Sequence, residues 1–423
     1  MQLFITLLFS LFLLTIQTFS QWTSQSSGVG ETLYSVHFVN EFTGWAVGEN
    51  GIIVNTTDAG TNWSEQVSGT TNYFTSVFFV SATEGWAVGG NYSPFLGMIH
   101  HTTDGGTTWM IQTDTLVNQL NSVFFTSQST GWVAGESSQI LKTTDGGSNW
   151  LVQTPPYSDY RGIFFVNNNT GWAVGGDPTN TESKVLKTND GGENWVEQTI
   201  ATTNYLRAVF FISETIGWVA GNLGTIFRTT DGGTIWELQN SETTEGLYSI
   251  HFADINTGWI AGGSGLILNT TNSGSDWVVQ TTGTNQYLNS ISFPDANNGW
   301  VVGGYGTILH TSNGGVTFVG EALSEALSEA PADFVLFQNY PSPFNPSTKI
   351  KYSIPNTSKV VIKVFDILGN EIETLINEEK PAGTYEVEFN SHSGFVRNLP
   401  SGVYFYQLKA GDYLKTKKMV LMK

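Results

Sequence analysis

Residues 206–239 read LRAVFFISETIGWVAGNLGTIFRTTDGGTIWELQ, and the reading of this stretch decides the fold. It opens on an apolar run (Leu206, Val209, Phe210, Phe211) and passes through Gly217-Trp218-Val219-Ala220-Gly221 and Thr225-Ile226-Phe227. It closes on Thr229-Thr230-Asp231-Gly232-Gly233-Thr234-Ile235-Trp236 and Gln239. The unit recurs seven times, with Gly-Trp dipeptides at Trp45, Trp86, Trp132, Trp172, Trp218, Trp259 and Trp300, separated by 41, 46, 40, 46, 41 and 41 residues. A period of about 40 to 45 residues with several short apolar runs per unit is the spacing of a β-propeller blade. The expected fold is all-β: a seven-bladed β-propeller followed by a small Ig-like β-sandwich.

Within residues 206–239 four strands are expected. Residues 206–212 are nearly continuous apolar, as an innermost strand buried on both faces should be. Residues 217–221 form the second strand. Residues 225–229 form the third, alternating between apolar Ile226 and exposed Arg228. Asp231-Gly232-Gly233 makes a tight turn, glycine supplying positive φ and aspartate accepting local N–H bonds. Residues 236–239 form the fourth strand. Six units carry tryptophan there (Trp63, Trp109, Trp150, Trp195, Trp236, Trp277), whereas the last has Phe318. Meanwhile Trp22-Thr23-Ser24-Gln25 precedes the first unit and has no unit of its own. This N-terminal segment is expected to complete the seventh blade, with Phe318-Val319 as the rival, because an unpaired edge strand invites association.

Around the repeats, residues 1–20 form an apolar run ending in Thr18 and Ser20, expected to be a secretory signal peptide although it lacks an N-terminal Lys or Arg. A single membrane anchor is the rival, the run being near the lower length limit for spanning. No other stretch is long and apolar enough to span, so no transmembrane segment is expected in the mature chain. The chain has no cysteine, which excludes disulfides and thiolate metal sites. Residues 21–320, the expected propeller, hold 6 basic and 24 acidic residues, a balance of −18. That argues against nucleic acid, whose binding needs a basic footprint. Residues 321–333 are a small-residue linker, EALSEALSEAPAD. Residues 334–423 change character, with 11 basic and 8 acidic residues and no tryptophan. They show short apolar runs at 335–337, 348–354, 360–365, 371–376, 384–389, 403–408 and 413–422, the pattern of a small sandwich.

Two resemblances bear on function. Phe337-Gln338-Asn339-Tyr340-Pro341-Ser342-Pro343-Phe344-Asn345-Pro346, with Val364-Phe365-Asp366-Ile367-Leu368-Gly369, Gly402-Val403-Tyr404 and Lys417-Lys418-Met419, resembles the type IX secretion C-terminal sorting domain. The resemblance implies that residues 334–423 are recognised by the type IX apparatus. It also implies export to the medium or the outer surface of a Gram-negative cell. The repeats, with Gly-Trp-Ala-Val-Gly and Thr-x-Asp-Gly-Gly-x-x-Trp, are similar to the photosystem II assembly factor-like propellers, which are non-enzymatic. They are also similar to the Asp-box repeats of sialidases and of some endoglucanases. Such repeats specify fold rather than activity, and the sorting domain argues against a literal photosystem role.

The repeats act as their own control for chemistry. Asp58, Asp104, Asp145, Asp190 and Asp231 recur, with Asn272 and Asn313 in the last two units, so they are expected to be turn residues. His37 and His251 align with Phe78, Phe124, Phe164 and Phe210 and are expected to pack in innermost strands. His101 and His310 align with Asn55, Lys142, Lys187, Arg228 and Asn269 at a polar position expected to be exposed. No His-Glu-x-x-His or Gly-x-Ser-x-Gly pattern is present. No cofactor or metal is expected. The arginine cluster implied by the sialidase resemblance is matched by Arg161, Arg207 and Arg228 alone, and Phe-Arg-Ile-Pro is missing. The favoured reading is a non-catalytic module binding a protein or glycan partner; the alternative is a secreted glycoside hydrolase, which needs two facing carboxylates.

The two 46-residue spacings come from inserts at residues 90–97 and 176–184. Antiparallel strands put these inserts on the face where each innermost strand begins. The aligned residues there are Tyr34, Thr75, Asn121, Arg161, Arg207, Tyr248 and Asn289, expected to ring the channel mouth. Arg161 and Arg207 are expected to take an anionic group, with Tyr34, Tyr248, Tyr92 and Phe95 supplying aromatic surface and Tyr157, Tyr160 and Tyr205 exposed beside them.

Overall fold

The computed structural model describes residues 21–91, 96–153, 155–156, 158–177, 179, 181–315, 333–339, 344–391, 399–411 and 413–421. The chain divides into two compact units on either side of Thr317 and Phe318. The first is a ring of seven four-stranded antiparallel sheets. In the fifth blade the strands run in chain order from the axis outward: Leu206–Phe211, Gly217–Gly221, Ile226–Thr229 and Glu237–Gln239. The outermost strand begins one residue after Trp236, later than the sequence pattern places it. The third strand also departs from simple alternation, since Phe227 is as buried as Ile226. Adjacent blades cover both faces of this strand, so its pattern is no longer apolar-in, polar-out.

The seventh sheet is Leu288–Ser292, Gly299–Gly303, Thr307–Thr311 and then Thr23–Ser26 from the N-terminal end. Thr23 pairs with His310 and Ser26 with Thr307. Trp22 and Gln25 take the places that tryptophan and glutamine hold in other outermost strands. The Trp22 indole donates to Gln280 Oε1 at 2.8 Å, and Gln25 Nε2 donates to the Ala59 carbonyl of the first blade at 2.9 Å. Gln66 and Gln112 make the same bond to the next blade's turn, at Gly105 and Gly146. The rival segment, Phe318-Val319, lies outside the described residues.

The Gly-Trp dipeptide has a packing cause. The tryptophan of each blade stacks face to face on the last phenylalanine of the next blade's innermost segment, with centroids 3.5 to 3.7 Å apart from Trp45–Phe79 round to Trp300–Phe38. That phenylalanine in turn lies flat on the glycine before its own blade's tryptophan. A Cβ at Gly131 would fall 2.4 Å from the Phe125 ring, and one at Gly299 would fall 2.2 Å from Phe293. Glycine is needed here for space rather than for unusual dihedrals. Six of the seven indole N–H groups then reach the turn of the next blade, as where Trp45 Nε1 donates to the Gly105 carbonyl at 3.0 Å and Trp132 Nε1 to that of Gly191 at 2.9 Å; Trp300 makes no such bond. Neighbouring blades therefore share one continuous apolar layer, and closure of the ring buries it completely.

The second unit is a sandwich of two antiparallel sheets. One contains Val335–Leu336, Ser347–Ile354 and Gly383–Asn390. The other orders Glu371–Lys380, Ser358–Phe365, Gly402–Ala410 and Tyr413–Leu421. Ile350, Tyr352, Ile362, Val364, Tyr406 and Leu408 lie fully buried between them.

Candidate functional site

All seven residues expected at the channel mouth sit at the same kind of irregularity. Pairing between the first two strands of each blade shifts register there: between Leu33 and Ser35, Phe74 and Ser76, Leu120 and Ser122, Tyr160 and Gly162, Leu206 and Ala208, Leu247 and Ser249, and Leu288 and Ser290. The skipped residues are Tyr34, Thr75, Asn121, Arg161, Arg207, Tyr248 and Asn289. A bulge re-aims a side chain that would otherwise follow the strand's alternation. Nothing in the local sequence signals it.

The re-aimed side chains mostly bond to the following blade. Thr75 Oγ1 donates to the Leu120 carbonyl at 2.7 Å, Asn121 Nδ2 to that of Tyr160 at 2.9 Å, and Asn289 Nδ2 to that of Leu33 at 2.9 Å. Arg161 follows suit, with Nε donating to the Tyr205 hydroxyl at 2.6 Å. Its other nitrogens bond Asn121 Oδ1 at 2.9 Å and Glu136 Oε1 at 3.2 Å. Burial opposes its charge, but Tyr205 and Glu136 outweigh that and hold its pKa above the ordinary value. Arg161 is thus a brace between blades, not the free cation that its sequence position suggests. Tyr34 is braced as well, its hydroxyl donating to Glu49 Oε1 at 2.9 Å.

Arg207 differs. Its guanidinium lies between two rings, 5.4 Å from the centroid of Tyr205 and 5.1 Å from that of Tyr248. Nε donates to Asn222 Oδ1 at 2.6 Å. Among the described residues no carboxylate lies within ion-pair distance of it. Burial, and then the charge of Arg161, lower its pKa. A half-buried guanidinium flanked by aromatic faces, with no counter-charge, is suited to a planar anion.

The aromatic surface also needs correction. Tyr160 and Tyr205 are buried, at 0% and 1% exposure, rather than exposed. The Tyr160 hydroxyl donates to the Pro156 carbonyl, and that of Tyr205 receives Arg161. Tyr92, Phe95 and Tyr157 lie outside the described residues. Sequence reasoning missed Tyr287 and Tyr305, which are 60% and 79% exposed on this same face. Tyr287 immediately precedes the innermost strand of the seventh blade, so its position before Leu288 was the available signal.

Below the mouth, a ring of side chains narrows the channel. Centroids of His37, Phe78, Phe124, Phe164, Phe210 and His251 succeed one another at 4.5 to 5.0 Å, and Ser292 occupies the seventh position. His37 Nδ1 accepts the Phe79 N–H at 3.3 Å. Burial lowers the pKa of both imidazoles to about 4, with the nearby His251 contributing further for His37. An unfolded histidine titrates near 6.5, so on acidification the unfolded chain takes up these protons first. Stability should hold above pH 6.5 and fall as the pH drops toward about 4, by on the order of 3 kcal/mol per imidazole at most. Urea midpoints across this window should fall for the native chain, and much less for the His37→Phe/His251→Phe variant. An equal fall in both would refute the assignment.

The opposite end of the blades is occupied by structural chemistry. His101 and His310, expected to be exposed, are instead half-buried and stacked on Trp86 and Trp300 at 4.7 and 4.5 Å. Lys142, Lys187 and Arg228 lie over Trp132, Trp172 and Trp218 at 5.8, 5.3 and 5.8 Å. The third-strand residue sits across the ladder from its blade's tryptophan, so a cation or imidazole there meets the indole face. The aspartates close their own turns: Asp58 Oδ1 accepts from Thr56 Oγ1 and from the Asn62 N–H, each at 2.9 Å. Asp190 does the same, and bonds from Asn194 hold its pKa down at about 2. Among the described residues no group of three or more His, Asp or Glu is arranged to hold a metal.

In the sandwich, Asn339 is a buried hub. Its N–H donates to the Tyr406 hydroxyl at 2.8 Å and its Nδ2 to Thr348 Oγ1 at 2.9 Å. Phe344 is also buried, its N–H bonding the Val420 carbonyl at 3.0 Å. Asn345 and Pro346 follow it and lead into Ser347–Ile354. Gly369 takes a positive φ of 85° in the turn closed by Asp366, whose Oδ1 accepts the Leu368 and Asn370 N–H groups at 2.9 and 2.8 Å. Gly402 opens its strand, and Lys417 and Lys418 face Tyr406 and Phe405 on the neighbouring strand. Pro341 and Pro343 lie outside the described residues. The sorting motif is thus in large part the sandwich's own core and turns.

The profile described as photosynthesis system II assembly factor YCF48 matches residues 14–121, 110–202, 151–240, 196–285 and 234–340. That described as secretion system C-terminal sorting domain matches residues 338–422. No curated protein matches the chain. Among solved structures, YCF48 bound to D1 peptide is similar with a TM-score of 0.59 at 22% identity, over 70% of this chain and 96% of that one. YCF48 from Cyanidioschyzon merolae follows at 0.57 and 20%, over 69% and 98%. The GH74 enzyme of Niastella koreensis gives 0.55 and 13%, over 78% and 59%. At these identities the likenesses are of fold.

Proposed function

The chain belongs to the photosynthesis system II assembly factor YCF48 family and ends in a type IX sorting domain; on that basis we propose that its propeller is a non-catalytic recognition module for a carboxylate-bearing protein segment. The sorting domain implies secretion, and the reading places the module on the cell surface or in the medium. Arg207 carries the proposal: it is a guanidinium between Tyr205 and Tyr248 with no carboxylate within ion-pair distance among the described residues, in a propeller with a strong excess of acids. A family member held with a peptide supports a peptide as the ligand class. A glycan is the second reading, favoured by the exposed rings of Tyr287 and Tyr305, on which a sugar face can stack. Hydrolysis is not part of the proposal. Glu49 and Glu136 on this face already accept bonds from Tyr34 and Arg161.

The test uses the full chain against a peptide array and a glycan array, with Arg207→Gln beside it. Loss of a charge-assisted bond should weaken a carboxylate ligand by about 1.5 to 3 kcal/mol, roughly 10- to 100-fold. Arg161→Ala is the wrong variant for this purpose, because it strands Tyr205 and Glu136 and would act through stability. Undiminished binding by Arg207→Gln would move the site to the opposite end of the blades, near Lys142, Lys187 and Arg228.

A further inference from the structure

A second ring of residues lies one step down the channel from the bulges. Five innermost strands place serine there, and each hydroxyl accepts an N–H from the next blade. Ser35 takes that of Val77, Ser76 that of Val123, Ser122 that of Ile163, Ser249 that of Ile291, and Ser290 that of Val36, all at 3.2 to 3.3 Å. These bonds complete the inner edges of the sheets, whose N–H groups have no further strand to pair with.

Blades four and five break the ring. They carry Gly162 and Ala208, which have no hydroxyl. The N–H groups that would face them belong to Val209 and Ile250. Those residues hold the same register as the five bonded ones: Val209 pairs with Val219 and Ile250 with Ile260, as Val77 does with Ala87. Val209 and Ile250 are 8% and 6% exposed, and no side-chain acceptor among the described residues replaces the serine. A buried N–H without an acceptor is costly, and a native protein normally fills such a gap.

The break falls in the two blades that carry Arg161 and Arg207 at the preceding position. Ala208 is the chain neighbour of Arg207, and the Arg207 guanidinium covers Tyr248, two residues before Ile250. The two gaps are not equal. At Gly162 the neighbouring strand has closed in, since a Cβ there would meet the Arg207 carbonyl and Val174 at 3.2 Å.

We propose that the gap at Ala208 is a carboxylate socket, in which the Ile250 N–H binds one oxygen of the ligand and the Arg207 guanidinium binds the other. Two donors of different kinds then converge on one anion, a backbone N–H fixed by the sheet and a guanidinium fixed between two rings. Where the other blades supply an internal hydroxyl, this sector leaves the acceptor to the ligand. The proposal rests on the recognition reading above and narrows it to one point of the channel mouth.

The probe is acetate, titrated into the full chain with amide shifts and calorimetry as readouts, for the native protein, Ala208→Ser and Arg207→Gln. Ala208→Ser installs the hydroxyl that five blades already carry, so the fold should tolerate it and gain a bond to Ile250. Acetate should shift the Ile250 amide of the native chain, and Ala208→Ser should bind it at least tenfold more weakly with no loss of thermal stability. Arg207→Gln should abolish binding. If Ala208→Ser binds acetate as the native chain does while Arg207→Gln does not, the socket falls and the Arg207 face stands. If acetate binding survives both substitutions, or the native chain shows none because water fills the gap, the socket falls. The peptide array then decides the recognition reading separately.

Discussion

Removal of residues 334–423 should leave the propeller in the periplasm, with none at the surface or in the medium. The deleted segment is the whole sandwich matched by the sorting profile, and its core and the propeller's lie in separate compact units. Loss of one unit should therefore not unfold the other. Cell fractionation with an antibody to the propeller measures the outcome, and unchanged secretion would overturn the sorting assignment. A finer version follows from the geometry of Asn339. Its Nδ2 bonds Thr348 and its N–H bonds Tyr406, both in the buried interior. Asn339→Ala should block export by destabilising the sandwich, so its retained protein should also show protease sensitivity in residues 334–423. A variant at exposed Lys418 lacks that signature if it disturbs recognition directly.

Loss of the N-terminal strand should be the most damaging change to the propeller itself. Trp22 is 1% exposed, meets Phe293 edge-on at 5.9 Å and donates to Gln280. Trp22→Ala should cost about 3 to 5 kcal/mol, the range for removing a large buried aromatic. Deleting residues 21–26 should cost more. It removes the ladder to Thr307–Thr311, frees the Ala59 carbonyl that Gln25 holds, and exposes an edge strand. Urea unfolding and light scattering should show a lower midpoint and concentration-dependent association. An unchanged midpoint for the deletion would mean that another segment closes the ring.

Much of this molecule was legible because its signals are local and repeated. Gly-Trp every 40 to 46 residues counts the blades, and Thr-x-Asp-Gly-Gly marks four of the turns, with close variants at residues 56–60, 270–274 and 311–315. Trp22 and Gln25 reproduce the spacing of an outermost strand far from the unit that lacks one, and the structure pairs that strand with Thr307–Thr311. The surface positions were less legible. His101 and His310 were expected to be exposed because their aligned neighbours are polar, yet polar groups there lie on an indole face, which alignment does not reveal. Tyr160 and Tyr205 were expected to be exposed beside the ring at the channel mouth, and their hydroxyls instead bond inward.

The sequence by itself determined the blade number, the strand order, the closing strand and the sorting domain, since each depends on spacing along one chain. The tertiary structure decided what the channel mouth can do. A one-residue register shift re-aims seven side chains, and four of them find a hydrogen-bond partner in the following blade: Asn289 bonds the Leu33 carbonyl, 256 positions away in sequence. The two arginines look alike in sequence, but Glu136 and Tyr205 brace one, while the other lies between two rings with no carboxylate in ion-pair distance among the described residues. That difference arises from contacts between blades, and no spacing within a single repeat encodes it.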